Sequence, residues 1–224
     1  MAKVLIDGEI IAVKRREQLG VFLLDGSGSM DDIGEHNLTL SENVNRTLKD
    51  FMSHFKDSGV KHEFEIAVVN FDYEATVRLP RTPLTEVDDM VSYNPRDKTK
   101  DNPGTNIGLG LIKAKEIIDE YFAQPNPDGY NRTAIIAILS DGMCQHPEST
   151  LKIARELDSN PNIIIHCALF TTKERENVNM NKDAKNFLQD IKSEAGLFAL
   201  TKDNATLRKF FNASMSSSKK KDNK

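Results

Sequence analysis

Cysteine is scarce in this chain: Cys144 and Cys167 are its only two in 224 residues. Two thiols do not make a disulfide framework at this length, and a reducing, cytoplasmic setting is the plain expectation. Long apolar runs are missing as well, and none approaches the roughly 20 residues a helix needs to span a bilayer. Met1 to Gly8 lacks the charged start, apolar stretch and small-residue cleavage site of a secretory signal. The five Asn-x-Ser/Thr sequons, Asn37-Leu38-Thr39 and Asn131-Arg132-Thr133 among them, are therefore not expected to carry glycans. Basic charge is not in excess. The net charge of −4 argues against non-specific nucleic-acid binding, which needs a basic face. No His/Cys cluster with zinc spacing occurs. Neither does a Gly-x-x-x-x-Gly-Lys-Ser/Thr or Gly-x-Gly-x-x-Gly phosphate-binding pattern.

What is present fits a globular protein, with 38% hydrophobic and 29% charged residues. The length suits one large domain or two small ones. Short apolar runs alternate with longer amphipathic ones. Leu19 to Leu24 reads as a buried strand ending at Asp25. Leu38, Val44, Leu48, Phe51, Met52 and Phe55 recur at helical spacing, and Gly59 follows as a stop. Phe64 to Phe71 and Ala75 to Leu79 read as partner strands across a tight turn, the second ended by Pro80 and Pro83. A helix is predicted over Ile107 to Phe122, with Leu109, Ile112, Ile117 and Tyr121 inward, broken by Pro125, Pro127 and Gly129. Thr133 to Leu139 and Ile163 to Phe170 lack alternation, as central strands covered on both faces do. Helices are predicted over Glu148 to Leu157 and Asp183 to Glu194, a short strand near Leu197 to Leu200, and a last helix beginning at Ala205 to Phe211.

This alternation predicts a doubly wound, mostly parallel open α/β sheet, with one antiparallel edge strand and helices on both faces. The main domain is expected over residues 15–213. Residues 1–14 read as a hairpin extension turning at Asp7-Gly8, and 214–224 as a disordered Lys-rich tail including Lys219-Lys220-Lys221. The stretch from Arg81 to Pro103 is long and polar, and loops of this length are uncommon unless functional or disordered.

Open α/β sheets bind ligands beyond the carboxyl ends of their strands. Three oxygen-rich segments fall there: Asp25-Gly26-Ser27-Gly28-Ser29-Met30 after a strand, Gly104-Thr105-Asn106-Ile107-Gly108 at a helix start, and Ser140-Asp141-Gly142 after a strand. Each alone reads equally as a turn or a helix cap. Together they supply hydroxyl and carboxylate oxygens, hard donors that suit Mg2+, with Mn2+ or Ca2+ as alternatives, over Zn2+. Two carboxylates on one divalent ion give a charge near zero, leaving a centre able to accept one more anionic oxygen.

These residues resemble the metal-ion-dependent adhesion site of von Willebrand factor A domains, in the family's order and over roughly Leu19 to Phe211. The resemblance implies a Rossmann-like fold and a non-catalytic protein-interaction module. Ser27, Ser29 and Thr105 would contact the metal or its waters. Asp25 and Asp141 would bind it directly or through water, and a partner's Glu or Asp would complete the site. Gly26 stands where many members carry a bulkier residue, and Ser140 where Thr is common; neither change removes a ligand. The short form is similar to bacterial cytosolic members, including those of tellurite-resistance (TerY-like) and phage-defence gene clusters. The competing function is metal-dependent hydrolysis or phosphoryl transfer on the same cation.

Among other residues, Asp31, Asp32 and Glu35 read as a solvated loop that favours the next helix N-terminus, with repulsion of acidic partners or tuning of metal affinity as the alternative. His146 reads as a surface residue before Pro147, and His166 as a satisfied core histidine. Cys144 lies near the third segment without a base to activate it. The Arg81 to Pro103 segment, with Arg96, Asp97, Lys98, Lys100 and Asp101, is expected to form part of the rim and to set partner choice. Oligomeric state has no sequence signature here.

Overall fold

The computed structural model describes residues 2–6, 9–13, 16–99, 104–126, 129–172 and 179–217. Its centre is a six-stranded sheet built from β3 (Arg16–Asp25), β4 (Phe64–Phe71), β5 (Ala75–Pro83), β6 (Asn131–Ser140), β7 (Ile163–Phe170) and β8 (Phe198–Thr201), in the order β5-β4-β3-β6-β7-β8. All neighbours pair parallel except the β4–β5 edge pair. Strands β1 (Ala2–Ile6) and β2 (Glu9–Val13) form a separate antiparallel pair with Ile6 opposite Glu9. The Asp7-Gly8 turn between them lies outside the described residues.

Apolar residues on alternate sides of each strand account for two cores. Leu19, Val21 and Leu23 of β3 face one side, with Ile107, Leu111 and Ile118 of α2 (Ile107–Ala123), Leu157 of α3 (Pro147–Asp158) and Leu188 of α4 (Asn179–Ile191). Phe22 and Leu24 face the other, with Val44, Leu48 and Phe51 of α1 (Leu40–Lys56) and Leu207 and Phe211 of α5 (Asn204–Ser216). Each such side chain, fully buried, contributes about 1.5–3 kcal/mol. α1 starts at a capping box: Thr39 accepts from Glu42 N at 3.1 Å, and the Glu42 carboxylate accepts from Thr39 N at 2.9 Å.

Three departures from the sequence expectation have a physical cause in the packing. β5 continues through Pro80 to Pro83. It is an edge strand with register shifts near Val68, so a proline lacking its N–H costs the ladder little. On α2 the buried stripe runs Ile107, Leu111, Ala114, Ile118, Tyr121, while Ile112 is 42% exposed and Leu109 only half-buried. Glycine sets that phase: a Cβ on Gly110 would lie 3.1 Å from the Phe71 ring, so the helix packs close on its glycine side. At the C-terminus, α5 runs past Ser214 to Ser216, with Ser214 and Met215 buried. Met215 fills the space left by Gly20 of β3, where a Cβ would sit 2.6 Å from its sulfur. Lys219 to Lys221 lie outside the described residues.

Candidate metal centre

The strand order reverses at β3, whose neighbours β4 and β6 come from opposite halves of the chain. Such a switch point opens a crevice at the carboxyl ends of the strands. β3 ends there at Asp25 and β6 at Ser140, so the first and third segments leave the sheet side by side. The chain turns back after β3 through one 3-10 turn, Gly28–Asp31, which brings Ser27 and Ser29 over the strand ends.

Ser29 Oγ donates to Asp141 Oδ1 at 2.8 Å, Ser27 Oγ lies 3.4 Å from the same oxygen, and the two hydroxyls are 3.1 Å apart. Asp25 accepts from Ser27 N at 2.8 Å and from the Ser140 hydroxyl. Asp25, Ser27 and Asp141 are 0%, 3% and 4% exposed, and Ser29 is half-buried. The second segment closes the third side. Asn106 N donates to Asp72 O at 3.0 Å, just past β4, and Gln145 N donates to Thr105 O at 2.9 Å. A Cβ on Gly142 would lie 3.8 Å from Thr105 Oγ1 and 4.0 Å from Ser29 Oγ. The absence of a side chain at Gly142 thus leaves room between hydroxyls of the first and second segments. Asn106 caps α2, its Oδ1 accepting from Leu109 N at 3.3 Å. All five expected site residues therefore meet at one place.

Burial pushes the Asp25 carboxyl up to about 6, against hydrogen bonds from Ser140, Ser27 and the Asp141 backbone that pull it down. A carboxylate so deeply buried favours a nearby cation that offsets its charge. Among the described residues no group of three or more His, Cys, Asp or Glu gathers to hold a metal. The donors at this site are two carboxylates and three hydroxyls, all oxygen, which fits a hard divalent ion.

Sequence reading missed two contributors. Ser140 ends β6 and supplies a hydroxyl to Asp25, and its only signal is a hydroxyl residue directly before Asp141. Gln145 packs its side chain against Gly104, where a Cβ would lie 2.4 Å away. His146 is exposed before Pro147, and Cys144 is buried with its Sγ 3.3 Å from Thr150 Oγ1. The Arg81 to Pro103 segment divides. Arg81 to Pro83 belong to β5 beside the amino end of β4, where Arg81 pairs with Glu65 at 2.9 Å, away from the site. The chain then returns along the domain, and only its later part reaches the rim, where Pro95 and Arg96 meet the first segment. Lys100, Asp101 and Pro103 lie outside the described residues.

Comparison with known proteins agrees with the fold. The chain is similar to the pilus adhesin SpaC of Lactobacillus rhamnosus GG in its open conformation, at 12% identity and TM-score 0.66, covering 91% of this chain and 30% of that one. It is similar to the PilB minor pilin of Streptococcus sanguinis, at 14% identity and TM-score 0.63, covering 92% and 62%. A third similar structure is proximal thread matrix protein 1 of the mussel byssus with a zinc-occupied MIDAS (metal-ion-dependent adhesion site) motif, at 20% identity and TM-score 0.53, covering 89% and 45%. The chain thus spans less than two thirds of each of these three proteins. No curated protein matches it. The von Willebrand factor type A domain family matches residues 21–213, and the chain belongs to that family.

Proposed function

We propose that the protein is a non-catalytic, metal-dependent interaction module. It holds a divalent cation through Asp25, Ser27, Ser29, Thr105 and Asp141, and captures a Glu or Asp side chain of a partner protein on that cation. The reading rests on one observation above all: Ser29 Oγ stands 2.8 Å from Asp141 Oδ1, although 112 residues separate them. Domains of this family bind a divalent metal at this site and contact protein partners through it.

Mg2+ is the proposed ion, with Mn2+ or Ca2+ as alternatives, because the donor oxygens are hard. When bound, the ion supplies a positive centre that attracts an anionic oxygen. Asp25 and Asp141 offset its charge, the three hydroxyls orient around it, and Ser140 holds Asp25 in place. A protein partner is favoured by the surroundings. Of the exposed large hydrophobic residues, Ile33, Tyr73 and Met143 lie on the loops that follow β3, β4 and β6. Apolar side chains next to a cation suit a protein surface bearing an acidic residue.

The proposed setting is cytoplasmic, within a bacterial stress-response or defence complex. Both cysteines are unpaired and buried, in keeping with a reducing compartment. Among the described residues, no helix is long and apolar enough to cross a membrane. The test is co-purification from the native host with Mg2+ or with EDTA, using the native chain, Asp25→Ala and Asp141→Ala. Capture of a defined protein that is lost with EDTA and in both variants supports the reading. Capture that survives all three changes, or turnover of a phosphoester by the purified protein, refutes it.

A further inference from the structure

Gly26 and Asp31 bracket the Ser27 and Ser29 pair, and the same outside segment engages both. A Cβ on Gly26 would lie 2.6 Å from the carbonyl oxygen of Pro95. Only a residue without a side chain lets the 94–96 stretch lie this close to the first segment, which gives the glycine at this position a physical reason. One residue further on, the Arg96 side chain is only 7% exposed, and its Nε donates to Asp31 Oδ2 at 2.8 Å. Its Nη1 donates to Asp97 O at 2.6 Å.

The segment carrying Arg96 is fastened on its inner side. Tyr93 is 1% exposed, and its N–H donates to Asn45 Oδ1 at 2.7 Å. Asn94 O accepts from Asn70 Nδ2 at 3.2 Å, and Asn94 Oδ1 accepts from Arg96 N at 3.0 Å. The guanidinium is therefore a cation held at a fixed position beside the first segment.

Asp31 closes the 3-10 turn that also carries Ser29. Its carboxylate, 42% exposed, is an anionic oxygen of the chain itself, two residues from Ser29. With the Asp31 half of the pair open to solvent, screening limits what it adds to folding stability, and its effect is where it puts the Asp31 charge.

We propose that Arg96 is a positioning and specificity residue of the metal site: it holds the Asp31 carboxylate on the rim and so leaves the cation's open position to a carboxylate of the partner. The proposal rests on the metal-binding reading above. It gives the rim segment a defined role, which is to keep an internal competitor away from the cation and cancel a charge that an acidic partner would otherwise meet.

The test is calorimetric titration of Mn2+ into the full chain and into Arg96→Ala, Asp31→Asn and the double variant, each first shown to unfold cooperatively. Arg96→Ala removes a fixed cation and frees a carboxylate beside the ion, so it should bind Mn2+ about three- to tenfold more tightly. The double variant should return to within about twofold of the native chain, because the effect runs through Asp31. Water-proton relaxation gives a second readout. Bound Mn2+ should relax water less in Arg96→Ala, where a protein carboxylate displaces a water, and normally in the double variant. Arg96→Ala binding no tighter than the native chain overturns the proposal, and so does tighter binding that persists in the double variant. If the native chain binds no Mn2+ at all, the metal-binding reading itself fails and takes this proposal with it.

Discussion

Asp25 and Ser140 end adjacent strands, and the hydroxyl of Ser140 is hydrogen-bonded to Asp25 Oδ2 in the floor of the site. The same hydroxyl also lies 3.3 Å from Gly142 N and 3.4 Å from Gly142 O. It fixes how a buried carboxylate presents its remaining oxygen.

Ser140→Ala should therefore weaken Mg2+ binding by about tenfold, the usual cost of losing a hydrogen bond behind a metal ligand. Ser140→Thr keeps the hydroxyl and should bind within about twofold of the native chain. Titration calorimetry on both variants measures this. Equal affinity for Ser140→Ala and the native chain would show that Asp25 needs no such support.

His166 makes folding sensitive to acid. The ring is fully buried; its Nδ1 accepts from Leu197 N at 2.8 Å, and its Nε2 lies 2.8 Å from Ser217 Oγ. An Nδ1 that accepts a backbone N–H requires the neutral ring. Burial first, and then the Lys192 charge, push its pKa down to about 4. The folded value lies below the unfolded one, so the unfolded chain takes up the proton first as pH falls. Stability from this group is complete above about 6.5 and is lost between there and about 4, to the extent of about 2–3 kcal/mol. His166→Gln should reduce the loss of urea midpoint between pH 7 and pH 4.5. If native and variant proteins lose the same amount, the ring is not the sensor.

Gly196 has no room for a side chain. A Cβ there would lie 2.0 Å from Ile165 O and 2.9 Å from Ser193 O, both backbone atoms that cannot rotate away. Gly196→Ala should destabilise the fold by about 3 kcal/mol or more, seen as a lower thermal midpoint. Gly59→Ala, with nothing within 4 Å of its would-be Cβ, is the matched control and should change stability little. Equal midpoints for the two variants would contradict the packing described.

Much of the fold was legible because its signals are local. Unalternating runs such as Ile163 to Phe170 mark strands covered on both sides, and β7 is buried along its whole length. The candidate site was legible because its residues lie at element ends, where a strand or helix boundary can be read from neighbouring residues. What escaped depends on partners far away in sequence. The inward phase of α2 is set by Gly110 meeting Phe71, so Ile112 turns outward despite its apolar side chain. Pro80 is tolerated in β5 only because that strand lies at the edge. The return of the chain from Pro83 to the rim, and the meeting of Arg96 with Asp31, are separated from their causes by 65 residues in the latter case. No periodicity records such a meeting.

The central claim is that oxygen donors from three separate stretches enclose one cation. Its most direct test is titration of Mg2+ into the metal-stripped native chain and into Asp141→Ala, followed by calorimetry. The account predicts binding of one ion per native chain and a loss of at least about tenfold in affinity for the variant. Retention of the native affinity by Asp141→Ala would contradict it.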